Sequence, residues 1–209
     1  MGITERRERE KEEVRRRILD AARELFARDG YEAVTMRKIA EAIEYSPTAI
    51  YLHFKDKESL VRELCMADFD SLAKAFQRIA REPDPLERLK KSGLAYADFA
   101  LEHPNHYRLM FMTPDPAPAK DEEAAAKRKG NPEEDAYAFL VATVAEAIEK
   151  GLLRTELKDP HLVAQAAWAG VHGVISLHVA KGTDGWIDWK PLKKTVTLVV
   201  DSFSRGISK

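Results

Sequence analysis

Apolar residues recur along this chain at the three-to-four-residue spacing of helices almost from end to end. No stretch alternates with the period of two that a half-buried strand needs. Val14, Ile18, Ala22, Leu25 and Phe26 line one face of a first helix over about residues 8 to 29, and Gly30 is its stop. Met36, Ile39, Ala40 and Ile43 make a short second stripe, and Ala49, Ile50, His53 and Phe54 a third. A fourth helix runs through Leu60, Val61, Leu64, Phe69, Leu72, Phe76 and Ile79, to about residue 81, before Pro83-Asp84-Pro85 interrupts it. A fifth runs from Pro85 to about Glu102, and Pro104 opens a sixth. Asn131-Pro132 begins a seventh that ends at Gly151. Asp159-Pro160 begins an eighth that reaches about Ala180, and a ninth covers about 189 to 206. The β-branched run TVTLVV at 195 to 200 belongs to this last helical stripe, with Leu192, Val196, Val199 and Phe203. The prediction is an all-α fold of about nine helices.

The polar residues between these stripes are helix punctuation. Thr35, Ser46, Asp56, Asp84 and Asp159 are placed to accept a bond from the unpaired N–H groups of a first turn, and Pro47, Pro85 and Pro160 suit the first helical position. Residues 113 to 131, rich first in proline and then in charge and alanine, read as a connection. Two domains are expected: residues 1 to 57, holding the three short-range helices, and residues 58 to 209, holding the rest.

The stretch TMRKIAEAIEYSPTAIYLHFKDKESL, from Thr35 to Leu60, has the layout of a helix-turn-helix. Its second helix turns the stripe of Ala49, Ile50, His53 and Phe54 inward and leaves Pro47, Thr48, Tyr51 and Leu52 outside, on the face that would enter a DNA major groove. The same string resembles the DNA-binding region of the tetracycline-repressor-like (TetR) family, through Ile39-Ala40, Ser46, Tyr51-Leu52-His53-Phe54 and Lys55-Asp56-Lys57-Glu58-Ser59-Leu60. The resemblance implies that Tyr51, His53 and Lys57 touch phosphates, that Thr35 can do so too, and that Arg37 can reach a base edge. Ser46 is the motif's cap. Pro47, Thr48 and Leu52 offer few polar forks, so thymine methyls and DNA shape are the expected targets. Two positions depart from the family pattern. Glu44-Tyr45 stands where Gly-Val is common, and Thr48 where Gly is frequent. If position 44 needs a left-handed backbone, glutamate there costs on the order of 1 kcal/mol relative to glycine.

Charge sharpens this picture. The 209 residues carry a net charge of −1, and residues 1 to 57 hold 13 Lys/Arg against 12 Asp/Glu. That excludes a generic polyelectrolyte binder, which is strongly basic. A reader with a few placed cations remains. Arg6, Arg7, Arg9 and Lys11 are a candidate arm, diluted by Glu5, Glu8, Glu10, Glu12 and Glu13. Cys65 is the one cysteine, which fits a reducing, cytoplasmic setting. No signal-like segment opens the chain.

His161 to Ala180 contain no formal charge. Gln165, His172, Ser176 and His178 interrupt that run, so a helix buried on all sides is preferred to a membrane span. Leu162, Ala166, Gly170, Gly173 and Leu177 form a stripe with small residues at its centre. With Leu192, Val196, Val199 and Phe203 of the last helix, this stripe is the expected face for a second copy. Trp168 and His172 are expected to look into their own domain. TetR-like proteins are dimers joined through their last two helices, and Trp168-Ala169-Gly170-Val171-His172-Gly173 resembles a Trp…His-Gly signature of one C-terminal variant. His103-Pro104-Asn105-His106-Tyr107-Arg108-Leu109-Met110-Phe111 fits the same variant.

The resemblance also implies an effector pocket. Its candidates are Phe69, Phe76, Tyr96, Phe99, Tyr107, Met110, Phe111, Tyr137, Trp168 and His172, each of which is equally a core residue by spacing alone. Their types favour a largely apolar or aromatic ligand. Enzymatic readings have little to stand on. His103 and His106 lack a third ligand at metal spacing, and there is no phosphate loop or nucleophile elbow. No cofactor or metal is expected. The function so implied is a transcriptional regulator, a repressor released from a palindromic operator by a small ligand. A ligand-independent architectural DNA binder and an activator are the alternatives.

Overall fold

The computed structural model describes residues 2–113 and 129–209. Most of the connection expected at 113 to 131 therefore lies outside the described residues. The described residues form nine helices: α1 (Ile3–Asp29), α2 (Met36–Ala42), α3 (Pro47–Tyr51), α4 (Lys57–Gln77), α5 (Pro85–Glu102), α6 (Pro104–Phe111), α7 (Ala136–Glu149), α8 (Pro160–Lys181) and α9 (Leu192–Ile207). The only β-type pairing among them is one isolated antiparallel bridge, Leu153 with Ser208. The all-α expectation holds.

Helix starts follow the capping residues. Thr35 accepts from the Lys38 N–H at 3.2 Å and Ser46 from the Ala49 N–H at 3.3 Å. Asp56 and Ser59 cap reciprocally: Ser59 N–H donates to Asp56 Oδ1 at 2.7 Å and Asp56 N–H to Ser59 Oγ at 3.2 Å. Asp84 and Asp159 accept from the first turns of α5 and α8.

Three boundaries differ from expectation. Helix α1 begins five residues earlier, because Glu5 reaches back to accept from the Gly2 N–H at 3.0 Å. Helix α4 gives way after Gln77 to tighter turns, Ile79 bonding to Phe76 and Glu82 to Ile79. Helix α7 starts at Ala136, not at Pro132. Asn131 holds a turn through Glu134 and Asp135, and Asp135 then takes the cap, accepting from Tyr137 and Ala138.

Two compact units are present: the described residues of Met1–Asp68 with Asn105–Lys120, and of Phe69–Pro104 with Asp121–Lys209. The first is built on Ile18, Ala22, Leu25 and Phe26 of α1. Against them pack Ile39 and Ala40 of α2, Ile50 of α3, Leu60, Val61 and Leu64 of α4, and Leu109 of α6. The second packs Leu89 of α5, Leu140, Val144 and Ala147 of α7, Val163 and Ala164 of α8, and Ile207 of α9. Gly93 lets α5 and α9 come close, since a Cβ there would stand 2.7 Å from a methyl of Val200. Arg88 fastens α5 to α7 by donating to Glu146 at 2.6 Å, and Lys150 donates to the same carboxylate at 2.6 Å. Together these cations hold the Glu146 carboxyl down to about 2.

Helix α8 corrects two expectations. It is long and apolar enough to cross a membrane by length and composition, yet only 22% of its most apolar window is buried within the chain. It is not buried on all sides here. Its inward stripe is Val163, Ala164, Val171 and Ile175; of these only Ile175 belongs to a stripe read from the sequence, the one with Trp168, His172 and Val179. Leu162 is 61% and Leu177 59% exposed, and Ala166 and Gly170 are exposed as well. On α9, by contrast, Leu192 and Val196 are buried in their own chain, not held out for a partner. Val199 and Phe203 are half-buried, with Phe203 packed against the second core. Apolar spacing marks a face as coverable; it does not say which neighbour covers it.

Candidate nucleic-acid interface

The turn between α2 and α3 sets the site. Tyr45 N–H donates to the Ala40 carbonyl at 2.9 Å and Glu44 N–H to the Glu41 carbonyl at 3.2 Å. These are the paired bonds of a Schellman ending, whose key residue is left-handed. That residue is Glu44, at φ 60°, the one non-glycine with positive φ among the described residues. The Tyr45 ring packs onto the first core. The strain expected at position 44 is thus present.

The orientation of α3 is enforced from α1 by two arginines that the sequence reading passed over. Arg15 is bidentate with Glu63 of α4, donating to Oε1 at 3.0 Å and also to Oε2. It also donates to the His53 carbonyl at 2.8 Å and lies 4.3 Å from the centre of the Phe54 ring. Arg17 donates to the Ile43 carbonyl at 3.5 Å and sits over Tyr45 at 5.3 Å. One helix therefore grips both ends of the turn and reading helix. Both arginines lie in a charge-mixed stretch with no motif around them, so no pattern in the sequence separated them from their exposed neighbours.

With Ile50 fully buried and Phe54 3% exposed, the opposite face of α3 points outward. Pro47 and Thr48 are exposed, Tyr51 is 54% exposed and Leu52 77%. Ser46 and Thr35 are exposed, with their oxygens engaged as caps. Arg37 is exposed and pairs with Glu41 at 2.9 Å. A pair so open to water contributes little, so the guanidinium is exchangeable for a stronger partner. The arm residues Arg6, Arg7, Arg9 and Lys11 are exposed on the first turns of α1, and Arg6 pairs with Glu10 at 2.7 Å.

Two expected contacts look different in the structure. The Lys57 ammonium turns inward, donating to the carbonyls of Tyr31 at 3.0 Å and Val34 at 3.2 Å, 3.9 Å from the centre of the Tyr31 ring. It holds the α1–α2 connection onto α4, engaging two of its three N–H donors. His53 is half-buried, and its Nδ1 is buried without a hydrogen-bond partner among the described residues. Burial lowers its pKa, and the charges of Arg15 and Lys11 lower it further.

The residues expected to hold an effector divide. Tyr107 is fully buried, Met110 is 8% exposed and Phe111 half-buried; all three belong to the first unit. Phe69, Phe76, Tyr96, Phe99, Tyr137, Trp168 and His172 belong to the second. Phe69 is 41% exposed, Phe99 is buried, and buried Phe76 packs on Phe139 at 5.6 Å. A smaller set does come together. Tyr96 and His172 share a hydrogen bond between the phenol oxygen and Nδ1 at 3.1 Å. Trp168 stands edge-on to His172 at 6.1 Å and near Tyr137 at 6.3 Å. The Tyr137 phenol bonds His161 Nδ1 at 3.1 Å and accepts from Gln165 at 3.1 Å. His161, Gln165, Trp168 and His172 form one helical stripe of α8, a periodicity that could have flagged the first two. Burial lowers the pKa of His172. Trp168 is 39% exposed, so this stripe is not turned wholly into its own domain.

Comparison with known proteins agrees with this layout. Residues 18–64 match the family model for bacterial regulatory proteins of the tetR family. Residues 89–203, more than half of the chain, match the tetracyclin repressor-like C-terminal domain. The HTH-type transcriptional regulator UidR of Escherichia coli is 31% identical over 93 residues, 44% of this chain and 42% of that protein. The chain's match thus spans less than half the length of that relative. The HTH-type transcriptional regulator TtgR of Pseudomonas putida is 27% identical, covering 89% of this chain and 93% of the other. The crystal structure of the TetR family regulator PfmR of Thermus thermophilus superposes with a TM-score of 0.68. It is 21% identical and covers 92% of this chain and 96% of that one.

Proposed function

Because the chain belongs to the tetR family of bacterial regulatory proteins, we propose that it is a sequence-specific DNA-binding transcriptional regulator. In this reading it is a repressor that a small, largely apolar or aromatic ligand releases from a palindromic operator. The observation that carries it is the outward face of α3. Pro47, Thr48, Tyr51 and Leu52 stand exposed on and just after a helix backed by buried Ile50 and Phe54; from α1, Arg15 holds the His53 carbonyl that follows it and Arg17 holds the Ile43 carbonyl before the turn. A rigidly mounted helix with an open front suits the major groove. Arg37 and Thr35 flank it, with Arg37 suited to a guanine edge and Thr35 to a phosphate.

The protein acts as a homodimer in this proposal. The uncovered stripe of Leu162, Ala166, Gly170, Gly173 and Leu177 is an apolar strip with small residues at its centre, which suits close approach of a second helix. Two-fold related reading helices then lie about 34 Å apart, one turn of DNA. The Tyr96–His172–Trp168–Tyr137 cluster is the candidate effector surface. It offers rings and neutral hydrogen-bonding groups without a formal charge, which favours an aromatic ligand. Ligand binding shifts the population toward a dimer whose reading helices stand at the wrong separation.

Selection of bound duplexes from a random pool tests the reading, with a Tyr51→Ala/Leu52→Ala variant as control. A palindromic site enriched by the natural protein and lost in the variant is expected. No enriched site, or the same site in both, would sink it and favour a non-specific DNA binder.

A further inference from the structure

Glu44 holds a backbone conformation that suits glycine. Its φ is 60°, and no other non-glycine among the described residues has a positive φ. Glycine enters that region freely, whereas a Cβ makes it costly. Such strain persists only where the surroundings impose it, and it gathers at functional positions. Here the surroundings do impose it. Ile43 is buried before it, and Tyr45 packs on the first core after it. Arg17 spans both neighbours, donating to the Ile43 carbonyl at 3.5 Å and lying 5.3 Å from the centre of the Tyr45 ring.

The side chain mounted there has no task within its own chain. Glu44 is exposed, and its carboxylate makes no hydrogen bond or ion pair among the described residues. Glu41, three positions earlier, differs, since it holds Arg37 at 2.9 Å. Arg37, Glu41 and Glu44 follow one another at one-turn spacing, so Glu44 prolongs the exposed edge that carries Arg37. It also stands two residues before Ser46, the cap of the reading helix.

A carboxylate beside DNA is repelled by phosphates unless a donor meets it. In the major groove the donors are the amino groups of cytosine N4 and adenine N6. Adenine sets an acceptor, N7, beside its amino group, and that atom repels the second carboxylate oxygen. Cytosine has no acceptor beside its own. The carboxylate therefore fits cytosine better than any other base.

We infer that Glu44 is a specificity-determining residue. It accepts from a cytosine amino group in each half-site, and its charge weakens binding wherever that group is missing. Discrimination by an unfavourable charge against wrong sites is a recognised route to specificity. Glycine in its place would bring a more relaxed turn and a less selective reader. The inference rests on the DNA-reading assignment above and adds one base that the reading selects.

The test is selection from a random duplex pool with the full natural chain, Glu44→Gly and Glu44→Gln, each checked as folded by circular dichroism. The natural protein is expected to favour cytosine at one position of each half-site by about tenfold, within the range that one good base contact supplies. Glu44→Gly should lose that preference alone, keep the rest of the site and bind random duplexes more tightly at fixed salt. Glu44→Gln should move the preference to adenine, because an amide can accept from N6 and donate to N7. A site in which no cytosine depends on Glu44 would overturn the inference. So would a folded glycine variant that loses the whole site, since Glu44 would then position the helix and not read a base. If the natural protein enriches no site, the DNA-reading assignment itself falls.

Discussion

The reading head and helix α8 both carry apolar residues on more than one face, and they end in opposite states. In the head, Met36, Ile39, Ala40 and Ile50 are buried by their own chain, and its large exposed apolar side chains are two neighbours, Tyr51 and Leu52. Along α8, Val163, Ala164, Val171 and Ile175 are buried, while Leu162, Ala166, Gly170 and Leu177 stay open. The first exposure is a small tip on a finished fold. The second is a continuous strip, the kind of surface that marks an interface. The head is complete in one chain, and α8 is proposed to be completed by another.

Substitutions can break this contrast. Ile50→Ala should cost about 3 kcal/mol of stability, the usual loss for a fully buried aliphatic side chain, read by denaturant unfolding. Leu52→Ala two residues on should cost less than about 0.5 kcal/mol. Equal costs would mean that α3 is not mounted as described. Next in size, Gly173→Arg places a long cation where a Cβ would meet no atom within 4 Å. Secondary structure should be unaffected, but self-association measured by sedimentation should weaken by about 100-fold, since a two-fold axis brings like charges together. An unchanged dimer would move the interface off this stripe.

Two smaller effects sharpen the account of the head. Glu44→Gly should stabilise the protein by about 0.5–1 kcal/mol, because relief of the left-handed strain exceeds glycine's extra unfolded entropy. A lower melting temperature would show that the Glu44 side chain is needed. Acid should act through half-buried imidazoles in both regions. His53 and His172 have pKa values lowered by burial, below the ordinary 6.5. The unfolded chain then takes up protons first, so stability is full above about pH 6.5 and declines as pH falls below it. His53→Gln and His172→Asn should each flatten that decline in a melting-temperature series from pH 8 to about 5. Glu146 acts in a separate window, losing its contribution only between its ordinary 4.5 and about 2.

Local rules were readable where local chemistry decides. The caps at Thr35, Ser46, Asp56, Asp84 and Asp159 lie where short side-chain acceptors meet first-turn N–H groups. The strain at Glu44 was legible because a tight helix ending demands one backbone conformation whatever residue supplies it. Lys57 was less so. Its motif position suggests a phosphate, yet two carbonyls of the α1–α2 connection accept hydrogen bonds from its ammonium. Arg15 gave no signal at all, because its partners, Glu63 and the His53 carbonyl, are about 40 to 50 positions away and only folding unites them.

Helix placement, the capped turn and the outward set of α3 were therefore written in residue order, since each depends on groups within a few positions of one another. The division of α8 and α9 into inner and outer faces was not. Leu192 and Val196 share their stripe with Val199 and Phe203, yet the first pair is fully covered and the second is half-open. Periodicity reports that a face is apolar, whereas coverage depends on which helix crosses it, and that is set by contacts between residues far apart in the chain. The bonds from Arg23 of α1 and His106 of α6 to Oδ1 of Asp68 on α4 belong to the same category, since three helices must pack before that oxygen is shared.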